Sequence, residues 1–435
     1  MNSSRGQSGG ITGVLSILIP MLWFIRASSK GISFWLGVDT EGQDYLEGSQ
    51  YDRLFFTSLM VAGFLILLIR KIDWFRLIKS NFLVFLFFAY MGISIYWSGF
   101  PNISMRRWIH TIGDLIMILV IITEINPVES LAKLFSTMSF VLLFISILLI
   151  KYNRAMGVAY DRSGEVEMWT GVATHKNTLG QIALMAGLYC LWELVRKKSS
   201  LFNKILPVFI LTMVGYILHG SGNSTSVTAL LTLIIGTLII LLFYIFKNHP
   251  QRVFTVMLIL VLLGGFYSYV SQFSSEPGGI LSVVAGSVGK DPTLTGRTEL
   301  WNVLIEIGSK HLPFGVGYGS FWIGNIGNNL WEIFTWQPEQ GHNGYIDIYV
   351  ELGIVGLTLL TLMVLRGLRG IRQDLKFNFP YGTLRFTLLL VCLTHNITES
   401  SFGRPSHLMW LLFLLSVVNI SDYSDVEIKN IQHKT

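Results

Sequence analysis

The stretch Gln340-Gly341-His342-Asn343-Gly344-Tyr345-Ile346-Asp347-Ile348-Tyr349-Val350-Glu351-Leu352-Gly353-Ile354-Val355-Gly356 decides how the chain is read. A polar loop ends here and an apolar helix begins. His342 falls at the change, and Asn343, Asp347 and Glu351 follow at steps of four, which puts them on one helical face. The residues between them are Ile, Tyr, Val, Leu and Gly. Carboxylates on such a helix cannot face hydrocarbon; they face protein or a wet cavity. The stretch predicts a membrane helix whose first turns carry a polar site, with the remaining chain as the scaffold that brings other polar loops to it.

Composition agrees. The 435 residues are 51% hydrophobic and 13% charged, where a soluble domain carries about 25% charge. The fold class expected is an all-α polytopic membrane protein. About twelve stretches have roughly the length a bilayer requires. They cover 11–25, 54–69, 81–97, 105–123, 134–150, 178–195, 205–218, 227–246, 253–270, 345–365, 383–394 and 407–420. The first apolar run lacks the small-residue cleavage pattern of a secretory signal. A formal charge of +6 is ordinary for a membrane protein with basic cytoplasmic loops and gives no reason to expect nucleic acid as a partner. Cys190 and Cys392 lie inside apolar runs and read as buried small side chains, not as a disulfide or metal ligands.

Lysine and arginine in short loops set the orientation. Arg70, Lys71, Arg76 and Lys79 fill one loop; Arg196, Lys197, Lys198 and Lys204 a second; Lys247 and Arg252 flank a third; Arg366, Arg369, Arg372 and Lys376 fill a fourth. With twelve spans all four fall on the cytoplasmic side, and so do both termini. The organisation expected is therefore spans one to nine over 1–270, a large outer loop over 271–342, three more spans over 343–420 and a cytoplasmic tail over 421–435. The large loop should contain an amphipathic helix from Thr298 to Lys310 lying along the membrane surface. Asp39, Glu41, Asp44, Glu47 and Asp52 belong to the first outer loop.

Several polar groups stand at the outer ends of spans, where positive charge is disfavoured and so calls for an explanation. Arg106 and Arg107 open the fourth span, with His110 and Asp114 following at helical spacing. They fit a structural Arg–Asp pair or an anion site, and arginine suits a diphosphate because it can bind two oxygens at once. His175-Lys176-Asn177 opens the sixth span, where helix N-terminal N–H groups also attract anions; Lys176 could equally snorkel to the interface. Arg297 precedes a helix and alone would read as a solvated loop residue. The glycines from Gly315 to Gly319 fit a tight turn better than a phosphate loop. His342 could cap a helix, but with Asn343, Asp347 and Glu351 beside it general-base work is the better reading. No carboxylate cluster suggests a divalent metal.

These motifs resemble the O-antigen ligase and polysaccharide polymerase superfamily of bacterial inner membranes. The matching residues are Trp97-Ser98 with Pro101 and Ser104 before Arg106-Arg107, then Thr174-His175-Lys176-Asn177, and Gly296-Arg297 with Leu300-Trp301. They continue with Pro313-Phe314-Gly315-Val316-Gly317, Gly341-His342-Asn343 with Glu351-Leu352-Gly353, and Asn396-Ile397-Thr398-Glu399-Ser400. Their order, with the long loop ahead of the histidine, is the specific part. The resemblance implies a GT-C-like, metal-independent, inverting glycosyltransferase without cofactor, working at the periplasmic face. Its donor would be an undecaprenyl-diphosphate-linked oligosaccharide in the lipid bilayer, and polysaccharide chain-length or export proteins would be partners. Ligases of this group carry an arginine just after a serine-rich turn; here Ser224-Thr225-Ser226 has none, which favours the exopolysaccharide polymerase branch.

In the mechanism this implies, Arg297, Arg107, Arg106 and Lys176 stabilise the departing diphosphate. His342 takes the proton of the acceptor hydroxyl, oriented by Asn343 or Asp347; His175, Asn177 and Glu351 are supporting residues. The alternatives are a ligase acting on lipid A core, a transporter of lipid-linked glycans, and a non-catalytic assembly subunit. Transporters place ionisable groups near the midplane and often show related halves, features this chain lacks.

Overall fold

A computed structural model describes residues 11–38, 49–160, 164–196, 201–220, 226–271 and 296–419. Asp39, Glu41, Asp44 and Glu47, Lys197 and Lys198, Ser224 and Thr225, most of the first part of the expected outer loop, and the tail 421–435 lie outside the described residues.

The described chain is helical except for one short hairpin, in which β1 (Val158–Tyr160) pairs antiparallel with β2 (Glu167–Trp169). In order the helices are α1 (Ile11–Ser28), α2 (Ile32–Leu36), α3 (Gln50–Ile69), α4 (Trp74–Ser80), α5 (Phe82–Ile93), α6 (Pro101–Ile122), α7 (Pro127–Tyr152), α8 (Arg154–Gly157) and α9 (Lys176–Arg196). They continue as α10 (Leu201–His219), α11 (Val227–Ile245), α12 (Pro250–Ser271), α13 (Arg297–Ser309), α14 (Gly324–Ile333), α15 (Gly344–Phe377), α16 (Phe379–Thr398) and α17 (Leu408–Val417).

Each of the twelve expected stretches falls on a helix. Among the described residues five helices are long and apolar enough to cross a membrane by themselves: α3, α7, α9, α11 and α15. A sixth is possible if α4 and the following 82–97 stretch, bent by 84°, form one span. The bend lies at buried Asn81, whose amide donates to Leu77 O and whose carbonyl accepts from Asn419 N. Some of the other helices carry charge or are short. α6 carries Arg106, Arg107 and Asp114, and α16 carries Arg385. α17 has ten residues, a length of about 15 Å against a hydrocarbon thickness of about 30 Å.

α17 is the centre of the bundle. All of its residues are buried, and α1, α6, α9, α15 and α16 surround it. A helix that is apolar all round belongs in such a place. Trp410 stacks on Phe88 and on Phe413 from within it. At one end of the bundle, ion pairs tie the helices together: Arg70 with Glu124, and Arg196 with Glu129 and Glu193. Arg385, buried near the same end, pairs with Asp374 and also donates to Ser416 O and Asn419 Oδ1.

The other end holds the polar loops, and its organising device is a break in α15. Gly353 has φ +64°, and a Cβ there would come within 2.0 Å of Pro313 O. The segment 313–319 lies against the break and satisfies the backbone groups it frees. Val316 N donates to Val350 O, Gly317 N to Glu351 O, and Val355 N to Pro313 O. Tyr90 Oη donates to Leu352 O at 3.0 Å. Non-helical backbone at membrane depth is tolerated only where protein pairs it in this way. The glycines 315 to 319 are thus a packed turn against a helix break.

α13 spans nearly the expected amphipathic stretch, but protein takes up its apolar face. Leu300 and Leu304 are fully buried in a second core with Val316, Phe321, Leu330, Phe334 and Val350. This side of the helix packs against α15 and the loop that follows α13, while Ile305 of the same expected face stays 48% exposed.

Candidate functional site

Three segments far apart in sequence meet at one carboxylate. Glu399 directly follows α16. Asn177, in the first turn of α9, donates from Nδ2 to Glu399 Oε1 at 2.8 Å. Arg297, the first residue of α13, places Nη2 3.8 Å from the same oxygen and donates from Nη1 to Thr398 O. His342 Nδ1 lies 3.5 Å from Glu399 Oε2. His175 and Lys176 adjoin the group at the N-terminus of α9, where the charges of Glu399, Lys176 and His342 all reach the His175 ring.

Local chemistry holds each piece. His342 sits in the left-handed region at φ +47°, a conformation that costs a non-glycine residue about 1–2 kcal/mol. The neighbouring chain holds it there: Trp301 Nε1 donates to Gly341 O, Asn343 N to Ser400 Oγ, and Gly344 N to Glu399 O. Trp336 lies over one side, its ring centroid 5.9 Å from that of the imidazole. The side chains of His342 and Arg297 keep 18% and 20% of their accessible surface, against 8% for Glu399; a ligand can reach the imidazole and the guanidinium while the carboxylate stays covered.

Burial pushes the Glu399 carboxyl up, but the hydrogen bond and charge of His342, followed by the Arg297 charge, outweigh it and hold the group down to about 2. Burial also lowers the His175 ring, with the Glu399 charge opposing. The His342 ring faces the carboxylate with Nδ1, so Nε2 is the nitrogen on its far side. A carboxylate on one ring nitrogen fixes the orientation of the other.

Sequence spacing points to Asn343 or Asp347 as the group that orients the ring; the carboxylate beside His342 Nδ1 in the structure is that of Glu399. Asn343 is not on the helix face at all. Its backbone is extended and its side chain caps α15, accepting from Tyr345 N and Ile346 N. Asp347 Oδ1 accepts from Gly341 N at 3.0 Å and from Trp322 Nε1 at 3.2 Å. Asp347 and Glu351 do share a face, and both line a cavity of 630 Å³ together with Arg107, Trp322, Trp331 and Arg404. There Glu351 accepts from Gly319 N, Arg107 donates to Gly319 O, and Arg404 lies 3.6 Å from Asp347. Asp347 Oδ2 is buried without a hydrogen-bond partner.

Arg106 lines a different cavity, between α1, α3 and α6. Asp114 accepts from Trp23 Nε1 and Ser406 N, which tie α6 to α1 and to the loop before α17. Of the four cations expected to share one diphosphate, Arg297 and Lys176 stand near His342, while Arg106 and Arg107 both line this smaller cavity and Arg107 also reaches the larger one. Glu399 and Arg404 carried no site role from sequence. Glu399 stands in the matched motif Asn396 to Ser400, and an acidic residue at the end of an apolar helix was the available signal.

Residues 220–361 match the family model described as O-Antigen ligase, a span that includes Arg297, His342 and Glu351 and stops short of Glu399. The chain is also 28% identical over 284 residues to the Exopolysaccharide production protein ExoQ of Rhizobium meliloti (strain 1021). That match covers 63% of this chain and 62% of the relative's length. Both comparisons support the O-antigen ligase and polysaccharide polymerase superfamily, the group that the sequence motifs resemble.

Proposed function

We propose that the chain is a polysaccharide polymerase. It transfers a glycan from a lipid diphosphate in the bacterial inner membrane to a hydroxyl of an acceptor sugar at the periplasmic face, with both termini in the cytoplasm. The observation that carries this reading is the convergence of His342, Arg297 and Asn177 on Glu399. The acceptor oxygen attacks the anomeric carbon as the bond from that carbon to the diphosphate oxygen breaks, and attack from the opposite face inverts the centre. His342 Nε2 takes the hydroxyl proton, and the buried Glu399 carboxylate stabilises the imidazolium that forms. Arg297 and Lys176 stabilise the charge on the departing diphosphate, a task for fixed cations in a site of low dielectric.

The 630 Å³ cavity suits the glycan. Trp322 and Trp331 offer broad amphipathic faces, and Glu339 and Glu351 offer acceptors for sugar hydroxyls. The absence of an arginine at Ser224-Thr225-Ser226 and the name of the relative favour polymerisation over transfer to lipid A core. The test is purified protein incubated with lipid-diphosphate oligosaccharide and the products sized on a gel. A ladder of multiples of the repeat is expected; substrate returned at its original size would end the polymerase reading.

A further inference from the structure

We propose that Trp336 is the platform on which the reacting sugar of the donor stacks, between the diphosphate at Arg297 and the base at His342. The inference rests on the polymerase reading for the reaction and on the surroundings of Trp336 for the assignment. A displacement at the anomeric carbon has its leaving group on one side and its nucleophile on the other. With the diphosphate at Arg297 and the proton acceptor at His342, the sugar that carries this carbon lies between them. Trp336 reaches both. Its ring centroid stands 5.9 Å from that of the His342 imidazole, with the planes at 41°. Its Nε1 lies 3.8 Å from where a Cβ would stand on Gly296, the residue before Arg297.

The loop between α14 and α15 presets this indole. Phe334 is buried in the second core, and Gln337 N donates back to Phe334 O at 2.9 Å. Gln337 has φ +49°, in the left-handed region, so the turn that carries Trp336 is held at a conformational cost, as happens at ligand clamps. On the other side Pro338 is buried, and its carbonyl accepts from Trp331 Nε1 at 2.9 Å. Trp336 stands between these two anchors.

Indole N–H groups mark the difference between this tryptophan and its neighbours. Trp301 Nε1 donates to Gly341 O, Trp322 Nε1 to Asp347 Oδ1 and Trp331 Nε1 to Pro338 O. Each spends its polar atom on fixing the chain around His342. Trp336 is half-buried, and among the described residues its Nε1 has no hydrogen-bond partner. A buried tryptophan N–H usually finds one; here the open position faces the space a ligand takes up. A hexopyranose with mostly equatorial substituents fits it. Such a sugar has a face of C–H groups that lies against an aromatic ring, and hydroxyls at its edge. The indole face takes the C–H groups, and Nε1 donates to a hydroxyl of the same sugar.

The experiment measures binding to the full-length protein of two lipids carrying radioactive phosphate: the lipid-diphosphate oligosaccharide of the polymerase assay, and undecaprenyl diphosphate without sugar. The wild-type protein should bind the first more tightly. Trp336→Ala should weaken binding of the oligosaccharide lipid about tenfold, the effect of losing an aromatic contact and its N–H, and leave binding of the bare lipid unchanged. Trp336→Phe, which keeps an aromatic face without the N–H, should recover part of the loss. Trp336→Leu, which keeps apolar bulk alone, should recover none. A wild-type protein that binds the oligosaccharide lipid no better than the bare one, a Trp336→Ala loss shared by both lipids, or Trp336→Leu performing like Trp336→Phe overturns the proposal. The readout is binding, so a missing product ladder with the sugar-dependent loss intact counts against the polymerase reading alone.

Discussion

Arg385 and Arg297 both face a buried carboxylate, and the protein binds them in opposite ways. Arg385 is 1% exposed, and each of its three nitrogens donates to protein, to Asp374, Ser416 O and Asn419. Arg297 is a fifth exposed, stands 3.8 Å from Glu399, and spends one donor on Thr398 O. The first arrangement holds helices together and has nothing left to offer. The second is loose, reachable, and next to a histidine that shares the same carboxylate. The difference separates a cation that stabilises the fold from one placed to meet a ligand.

The largest effect is expected at the histidine. His342→Ala should lower turnover by about two to four orders of magnitude without changing the amount of folded protein in the membrane; wild-type rates would remove it from proton transfer. Next, Arg385→Ala should damage the fold instead of the chemistry. It leaves Asp374 buried without its partner, a loss of about 3–5 kcal/mol, visible as a lowered melting temperature in detergent. Arg297→Ala should do the reverse, lowering turnover by about two to three orders of magnitude at an unchanged melting temperature. Arg297→Lys should restore part of it, since a point charge lacks the guanidinium's fork. If the two arginine variants exchanged behaviour, the comparison itself would fail.

Glu399→Gln is a finer test. Glu399 is ionised throughout the working range, because its pKa is held down to about 2. Gln keeps a hydrogen-bonding oxygen beside the ring but not the charge, so turnover should fall, with a smaller loss than His342→Ala causes. Wild-type turnover would assign the carboxylate a purely structural task. The smallest expected effect is that of EDTA, which should leave polymer length and rate unchanged; loss of activity restored by a divalent ion would replace the proposed arginine and lysine roles.

The helices were legible in the sequence because apolar length is a local property. The same is true of α13, whose period is visible within one segment, and of His342 and Arg297, whose neighbours are polar in an otherwise apolar chain. What escaped was pairing across segments. Asn343, Asp347 and Glu351 at steps of four looked like one face, but Asn343 is the cap, and a cap is decided by one backbone angle that spacing does not reveal. Glu399 is 57 residues from His342, and only the packing of α16 beside α15 brings them together. Arg106 and Arg107 are adjacent in the chain and line different combinations of cavities, because neighbours on a helix point about 100° apart.

The break at Gly353 has a mechanical meaning. It divides α15 into a strut of nine residues, Gly344 to Leu352, and a long rod from Ile354 to Phe377. The strut carries Asp347 and Glu351 and follows directly from His342. It is clamped to the 313–319 segment and to Tyr90 through Val350, Glu351 and Leu352 carbonyls. Long membrane helices tilt to match the thickness of the bilayer around them. Here such a tilt of the rod has a joint in which to be absorbed, one turn below the carboxylates. The alignment of the strut is referenced to the clamp by three carbonyls, whereas the rod is tied to it by the single bond from Val355 N to Pro313 O.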